Sequence, residues 1–471
     1  MRIQAKLDYK NITKLFLLVL IIFVPFYASC QNTVTWETKD EILARIVPPT
    51  FPDREFDVTK YGAKGDSITD CTSAFAQAIE ACSKSGGGKV IVPAGVYLTG
   101  AIHLKSNVNF VLSKGTILRF STDPKKYSPL VFTRWEGVEC MNYSALIYAY
   151  GQENIAVTGE GILDGQGSEK SWWSWKGNKQ GGWKEGMPNQ NAARKKLIAM
   201  MDQNIPPEQR VFGEGSYLRP NFIQLYKCKN ILLDGFTLLN SPMWVLHPVL
   251  SSNITISNIT VEGLGPNGDG CDPESCKDVL IKNCTFNTGD DCIAIKSGRN
   301  ADGRRVNVPT ENVVIQNCKM KEGHGGVVIG SEISGGVRNV FVEDCIMDSP
   351  NLDRALRFKT NSVRGGVLEN FFARKIKVGQ VAEAVIKVDF YYEEGDAGSF
   401  TPTLRNIFVN DLSCEKGQFA IWIRAYERSP VENIHLKNCT FNGIMKNNVI
   451  ENVKNFSAES VTINNKPFIV N

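Results

Sequence analysis

A recurring nine-residue unit constrains the fold of this chain more than any other feature. It reads NILLDGFTL from Asn230, NITISNITV from Asn253, DVLIKNCTF from Asp278, NVVIQNCKM from Asn312 and NVFVEDCIM from Asn339, with weaker copies at Asn370, Asn406, Asn433 and Asn455. Apolar residues fall at offsets +1, +3, +6 and +8, as in Val279, Ile281, Cys284 and Phe286. This is period-two alternation on either side of a one-residue shift, the pattern of two short strands joined by a bend. Unit starts lie 22 to 36 residues apart, too close for a strand-helix-strand unit and too far for a hairpin. Leucine-rich repeats share the period but need Leu at fixed places, where this chain has few. Stacked coils of a parallel β-helix satisfy the pattern, with inward residues in continuous apolar stacks and loops absorbing the variable lengths.

The expected architecture is therefore all-β, one solenoid domain over residues 31–471. A solenoid grows by adding coils, so its length is not limited by the size of a single globular core. Residues 50–115 read as an N-terminal cap region. Thr69 or Asp70 caps an amphipathic helix carrying Phe75, Ile79 and Cys82, which ends at Gly86-Gly87-Gly88 and covers the open apolar end of the solenoid. A long irregular insertion at 167–220 holds Trp172, Trp173, Trp175 and Trp183 among cations that include Lys176, Arg194, Arg210 and Arg219. Two readings fit it: one wall of a saccharide cleft, with aromatic faces for sugar rings and cations for carboxylates, or a loop packed on the flank.

Residues 1–30 read as an export leader, in which Arg2, Lys6, Lys10 and Lys14 precede an apolar run from Leu15 to Tyr27. Ala28-Ser29-Cys30 is similar to a bacterial lipoprotein processing site, with ordinary signal cleavage as the alternative. Either way the protein is expected outside the cytoplasm: secreted, periplasmic, or anchored at the outer membrane of a Gram-negative cell through a lipid on Cys30. Cys284, Cys318, Cys345 and Cys439 share offset +6 and are expected to stack inward as small hydrophobes, with no regular bridging scheme. The whole chain carries +4, and the leader accounts for a net +3 of that, which leaves about +1. So slight a charge does not indicate nucleic-acid binding, and an acidic ligand must be held by local cations.

Candidate chemistry lies in Gly268-Asp269-Gly270-Cys271 and Gly289-Asp290-Asp291-Cys292, followed by Gly323-His324-Gly325. Asp290 and His324 each stand 12 residues after their unit starts, which predicts neighbours on adjacent coils. The segment C-I-A-I-K-S from Cys292 matches G-V-V-I-G-S from Gly326, and F-K-T at Phe358 extends the register, so Arg357 and Lys359 should flank the cluster. Asp269 joins through the repeated G-D-x-C pattern, although its offset of +16 requires a bulge. Like charges about 5 Å apart oppose folding, and such crowding raises a carboxyl pKa, as a general acid working near neutral pH requires. A calcium site is the competing chemistry for clustered acids, but a histidine and nearby cations suit it poorly. No metal or cofactor is expected.

At these positions the chain resembles glycoside hydrolase family 28, the polygalacturonases and relatives. The family's Asn-Thr-Asp appears as Asn267-Gly268-Asp269, its Gly-Asp-Asp as Gly289-Asp290-Asp291, its Gly-His-Gly as Gly323-His324-Gly325 and its Arg-Ile-Lys as Arg357-Phe358-Lys359. The resemblance implies a right-handed β-helix and inverting hydrolysis of α-1,4-galacturonosyl linkages in pectin. It assigns Asp290 as general acid, Asp269 and Asp291 to the attacking water, and His324 to tuning the acid or contacting the sugar. Asn267, Arg357, Lys359 and Tyr392 become substrate contacts, with Tyr391 an alternative to Tyr392 and Lys296 a second carboxylate contact. Inverting enzymes space their carboxyls about 6.5–9.5 Å apart to admit the water. The insertion points to a cleft closed at one end and hence to exo action, and a monomer is expected. Alternatives are a rhamnogalacturonan hydrolase of the same family, a calcium-dependent pectate lyase, and a non-catalytic pectin-binding solenoid.

Overall fold

Each repeat unit folds as two short strands around a bend, stacked in parallel on the units before and after it. The unit at Asp278 supplies strands Lys277–Lys282 and Thr285–Thr288. Val279 lies between Ile254 and Val313 of the adjacent coils, and Phe286 between Val261 and Met320. A third strand per coil builds a separate parallel sheet: Ile293–Ile295, Val327–Ile329, Arg354–Lys359, Ala384–Asp389, Phe419–Arg424 and Val449–Glu451. Leu246–Val249, Ile223–Tyr226, Ile147–Tyr150 and Ile102–His103 continue this face toward the N-terminus. Three strands per coil wind the chain into a right-handed parallel β-helix. The structure, a computed structural model, describes residues 34–470, so the leader expected at 1–30, with Cys30, lies outside the described residues.

The alternation read from the sequence becomes the interior. Val279, Ile281, Cys284 and Phe286 are all buried, as are Cys318, Cys345 and Cys439 at the shared +6 position. All twelve described cysteines are free thiols.

Asparagine at the unit start has a function that the alternation does not explain. Asn154, Asn230, Asn253, Asn312, Asn339, Asn370, Asn406, Asn433 and Asn455 all adopt left-handed backbone (φ 53° to 63°), a conformation that Asn tolerates better than other residues with a Cβ. Each side-chain amide from Asn339 to Asn455 donates to the amide oxygen of the Asn one coil before, at 2.9–3.1 Å. The ladder is interrupted at Asp278, which accepts from Asn312 (2.9 Å) but has no amide to donate to Asn253. There the backbone N–H of Val47 donates to Asn253 Oδ1 (3.0 Å), and Arg45 pairs with Asp278 (3.0 Å).

Those two residues lie at the end of a helix that no sequence signal indicated, α1 (Trp36–Arg45). It lies on the outside of the sheet, with Trp36 against Phe341 and Phe372 and Lys39 paired with Glu343 at 2.8 Å. Ten residues with few apolar positions are too short for a periodic signal. The capping helix α2 (Thr72–Lys84) buries Phe75, Ile79 and Cys82 as expected. It starts later than the sequence implied, because Asp70 accepts from the N–H of Thr72 rather than from a residue deeper in a longer helix.

Residues 167–220 are more ordered than an irregular loop. They hold three 3₁₀ turns and α3 (Asn191–Asp202). Trp172 is buried edge-to-face against Tyr127 and Trp175, and Trp173 donates from Nε1 to the Ser241 carbonyl at 2.9 Å. These tryptophans anchor the segment to the solenoid rather than presenting their faces to a cleft. Its contribution to the cleft is cationic.

Candidate active site

The third-strand sheet determines the register of the acidic cluster. Cys271, Ile293, Val327 and Leu356 stack in line. Asp290 therefore faces His324, whose N–H donates to the Asp290 carbonyl at 3.0 Å, as the equal offsets predicted. Asp269 faces Asp291 instead of Asp290, and the N–H of Gly270 donates to the Asp291 carbonyl at 2.9 Å. Matching the two G-D-x-C motifs therefore errs by one residue. The expected bulge lies at Leu264–Asn267: although Thr260 and Thr285 are paired, Asp269 comes three residues later in its coil than Asp291 does in the next.

Local glycines permit the close stacking. A Cβ on Gly268 would meet the Gly265 carbonyl at 2.8 Å, so the bulged loop excludes the family's threonine here. Gly289 is required by the approach of the Leu264–Gly265 backbone, where a Cβ would fall 2.3 Å from the Gly265 oxygen. Gly323, at φ 148°, passes the Asp290 carbonyl, which a Cβ would approach to 2.5 Å. Arg219 fixes the loop from below: its guanidinium donates to the Pro266 carbonyl (2.6 Å) and to Asn267 Oδ1 (2.8 Å).

Each acid has its own partner. Asp290 Oδ1 lies 3.0 Å from His324 Nδ1. Asp291, fully buried, accepts from Arg357 Nη1 (3.1 Å) and Lys359 Nζ (2.5 Å). Lys296 Nζ lies 3.2 Å from Asp269, 3.4 Å from Asp272, 3.4 Å from Glu332 and 4.4 Å from the centre of the Trp244 ring. Lys296 is thus buried among protein carboxylates. Tyr392 packs 5.1 Å from Lys359 Nζ and 5.3 Å from the Arg357 guanidinium, whereas Tyr391 turns away to Arg424 and Tyr426. The other histidines lie elsewhere: His247 bonds Glu274, His103 bonds Ser144, and His435 stacks on Phe408.

These partners separate the acids electrostatically. Burial lifts the Asp269 carboxyl to about 7; Lys296 opposes the rise, and the charges of Asp290 and Asp291 add to it. Burial would raise Asp290 too, but the hydrogen bond and charge of His324 outweigh it and hold that carboxyl well below the usual range. In return, the bond to Asp290 raises the His324 imidazole above its ordinary value. Oxygens of Asp269, Asp290 and Asp291 lie within 4.8 Å of one another, closer than the carboxyl spacing usual for inverting enzymes. A water donating two ~2.8 Å hydrogen bonds at its tetrahedral angle spans about 4.6 Å, a span that falls inside this limit. The cations and His324 already neutralise the three acids, which leaves little charge for a divalent ion to satisfy.

The acids open into a pocket that sequence reasoning only partly located. Asn267, Asp269, Asp290, Lys296, Lys359 and Tyr392 line it, as the motifs suggested, and Lys176 and Arg194 enter from the insertion. Arg357 and Asp291 stand behind this lining. Five further lining residues carried no signal of their own: Glu136, Trp244, Arg299, Glu332 and Glu393. Glu332 stands one residue past the matched segment G-V-V-I-G-S, which could have revealed it. Glu136 sits at the tip of the antiparallel hairpin Val131–Trp135 and Val138–Asn142, which nothing in the repeat pattern indicates.

Residues 213–464 match the family described as Glycosyl hydrolases family 28, and residues 56–115 match Rhamnogalacturonase A/epimerase, pectate lyase-like. A probable polygalacturonase of Vitis vinifera is 29% identical over 81% of this chain and 72% of that protein. An endo-polygalacturonase of Pectobacterium carotovorum subsp. carotovorum is 29% identical over 80% of this chain and 85% of its own. Among solved structures, a hyperthermoactive exopolygalacturonase from Thermotoga maritima superposes with a TM-score of 0.88 at 45% identity, covering 90% of this chain and 96% of that one. With the Asp269, Asp290, Asp291 and His324 cluster on a parallel β-helix, these matches make the chain a glycoside hydrolase that belongs to family 28, the polygalacturonases and their relatives.

Proposed function

We propose that the protein releases terminal galacturonate units from oligo- and polygalacturonate by inverting hydrolysis of the α-1,4 bond. The observation that carries the reading is how the clustered acids are partnered: Asp290 bonds His324 of the following coil, while Asp269 faces Asp291 of the coil after its own. His324 and Asp290 together store the proton for the leaving oxygen, as imidazolium beside carboxylate. The carboxylate of a bound galacturonate adds negative charge and drives that proton onto Asp290, which then acts as general acid. Asp269 and Asp291 hold the water between them. Asp269, whose carboxyl burial lifts to about 7, takes the water's proton.

Arg357 and Lys359 hold Asp291 in the free enzyme, and their outer N–H groups remain for a substrate carboxylate. Exo action is supported by the inserted segment reaching the pocket, where Lys176 and Arg194 join its lining, and by the likeness to the Thermotoga maritima exopolygalacturonase. Digestion of a defined oligogalacturonide ladder tests bond and mode together. Stepwise loss of single units is expected, and random mid-chain products would overturn the exo reading. Rhamnogalacturonan run alongside should remain intact. Proton NMR of the first product should show the β-anomer, and an α-anomer would overturn inversion. Asp290→Asn should abolish reducing-sugar release while retaining oligogalacturonide binding. An EDTA-sensitive rise in ultraviolet absorbance, the mark of an unsaturated product end, would indicate a lyase instead.

A further inference from the structure

Five cations line the pocket among the described residues, and four of them are already paired. Arg194 bonds Glu136 at 2.6 Å, Arg299 bonds Glu332 at 3.2 Å, Lys296 bonds Asp269 and Lys359 bonds Asp291. Lys176 alone has no ion pair or hydrogen bond within reach, although it is partly buried. Burial pulls its pKa down, and the more distant charge of Glu136 only partly opposes this. A partly buried ammonium that no protein group pairs is left for an arriving anion to satisfy.

The backbone that carries Lys176 is held rigidly. It closes the 3₁₀ turn Trp173–Lys176, and Gly177 follows in left-handed conformation with its N–H bonded to the Ser174 carbonyl. Trp173 ties this turn to Ser241, and the Trp175 carbonyl accepts from Gln190. The side chain therefore enters the pocket from a fixed backbone position on the insertion side. Preorganisation of this kind suits a contact with one substrate group.

We propose that Lys176 binds the carboxylate of the terminal galacturonosyl unit on the side of the pocket that the inserted segment lines, and thereby makes the enzyme select an acidic over a neutral terminal unit. The inference rests on the exo reading above. It assigns to the inserted segment a role in substrate choice. Arg357 and Lys359 already share their charge with Asp291 in the free enzyme. Lys176 has no such prior partner.

The test compares two short oligogalacturonides, one with a free carboxylate on its released terminal unit and one with that carboxylate as a methyl ester. Wild type should prefer the free acid by roughly 10- to 100-fold in kcat/KM, the range of one charge-assisted contact. Lys176→Met should remove that preference by slowing the acid substrate while leaving the ester within about twofold, and retained ester hydrolysis shows that the variant is folded. Lys176→Arg should keep most of the preference. Equal loss on both substrates, or an unchanged preference, would overturn the inference. Wild-type products report separately on the exo reading: mid-chain cleavage defeats that reading, whereas terminal release with unchanged selectivity in Lys176→Met defeats only the role of Lys176.

Discussion

Replacing Asp269 by Asn should stabilise the protein at high pH while destroying activity. The carboxyl is almost fully buried and faces two other acids, which together lift it from an ordinary 3.8 to about 7. Asp269 thus binds its proton more tightly in the folded state than in the unfolded one. Ionising it costs nothing below about pH 3.8, costs progressively more as pH rises, and reaches its full cost above pH 7. At 1.36 kcal/mol per pH unit the cost is about 1.5 kcal/mol at pH 5 and about 4 kcal/mol at pH 8, an upper limit because relaxation and water entry soften it. Asparagine has the same shape and cannot ionise, and Lys296 keeps Asp272 and Glu332 as partners. Urea unfolding of wild type and Asp269→Asn at pH 5 and pH 8 measures the difference directly. The variant's advantage should widen by roughly 1–3 kcal/mol between the two pH values, with kcat down by at least about 10³. An advantage that is equal at both pH values would refute the assignment of the raised carboxyl to Asp269.

The activity profile against pH should be bell-shaped, rising as Asp269 ionises through about 7 and falling as the His324 and Asp290 pair loses its proton. His324→Gln should lower kcat by roughly 100-fold and remove the alkaline limb; an unchanged limb would place the stored proton elsewhere. Lys296→Met should move the acid limb to higher pH, because Lys296 is the cation that restrains Asp269. Activity at pH 6 should then fall roughly tenfold further than at pH 8, and a parallel loss at both would remove Lys296 from that role. Asn339→Ala deletes two ladder bonds and puts alanine at φ 59°, so chemical denaturation should report a loss of about 2–4 kcal/mol. A change under ~0.5 kcal/mol would mean the ladder is incidental.

How far the sequence could be read depended on whether the deciding interaction repeats. Apolar offsets such as Val279 and Ile281 recur in every coil, so strands, inward cysteines and the facing of Asp290 and His324 followed from counting. Asp269 illustrates the limit, since a three-residue excursion at Leu264–Asn267 breaks the count and moved its partner from Asp290 to Asp291. Lys296 matched Lys359 in phase, yet phase does not reveal that Asp272 and Glu332 enclose it. Glu136, Arg299 and Glu393 come from a hairpin and loops between repeats, where no period applies. The tryptophans of 167–220 show that composition alone cannot separate packing from binding. Only the position of Ser241, far away in sequence, shows what holds Trp173.

The asparagine ladder has a consequence beyond stability. Consecutive corners stand 22 to 36 residues apart along the chain, and still each described Asn from 312 to 455 bonds the corner residue one coil before it. The corner behaves as an index mark that restarts the count on every turn. Inserted residues between marks are pushed outward as loops, leaving the next coil where it was. Catalytic acids and specificity loops are therefore mechanically decoupled in this architecture: segments such as 167–220 can lengthen, close a cleft or change its charge, while the spacing of Asp290 and His324 stays set by one strand separation.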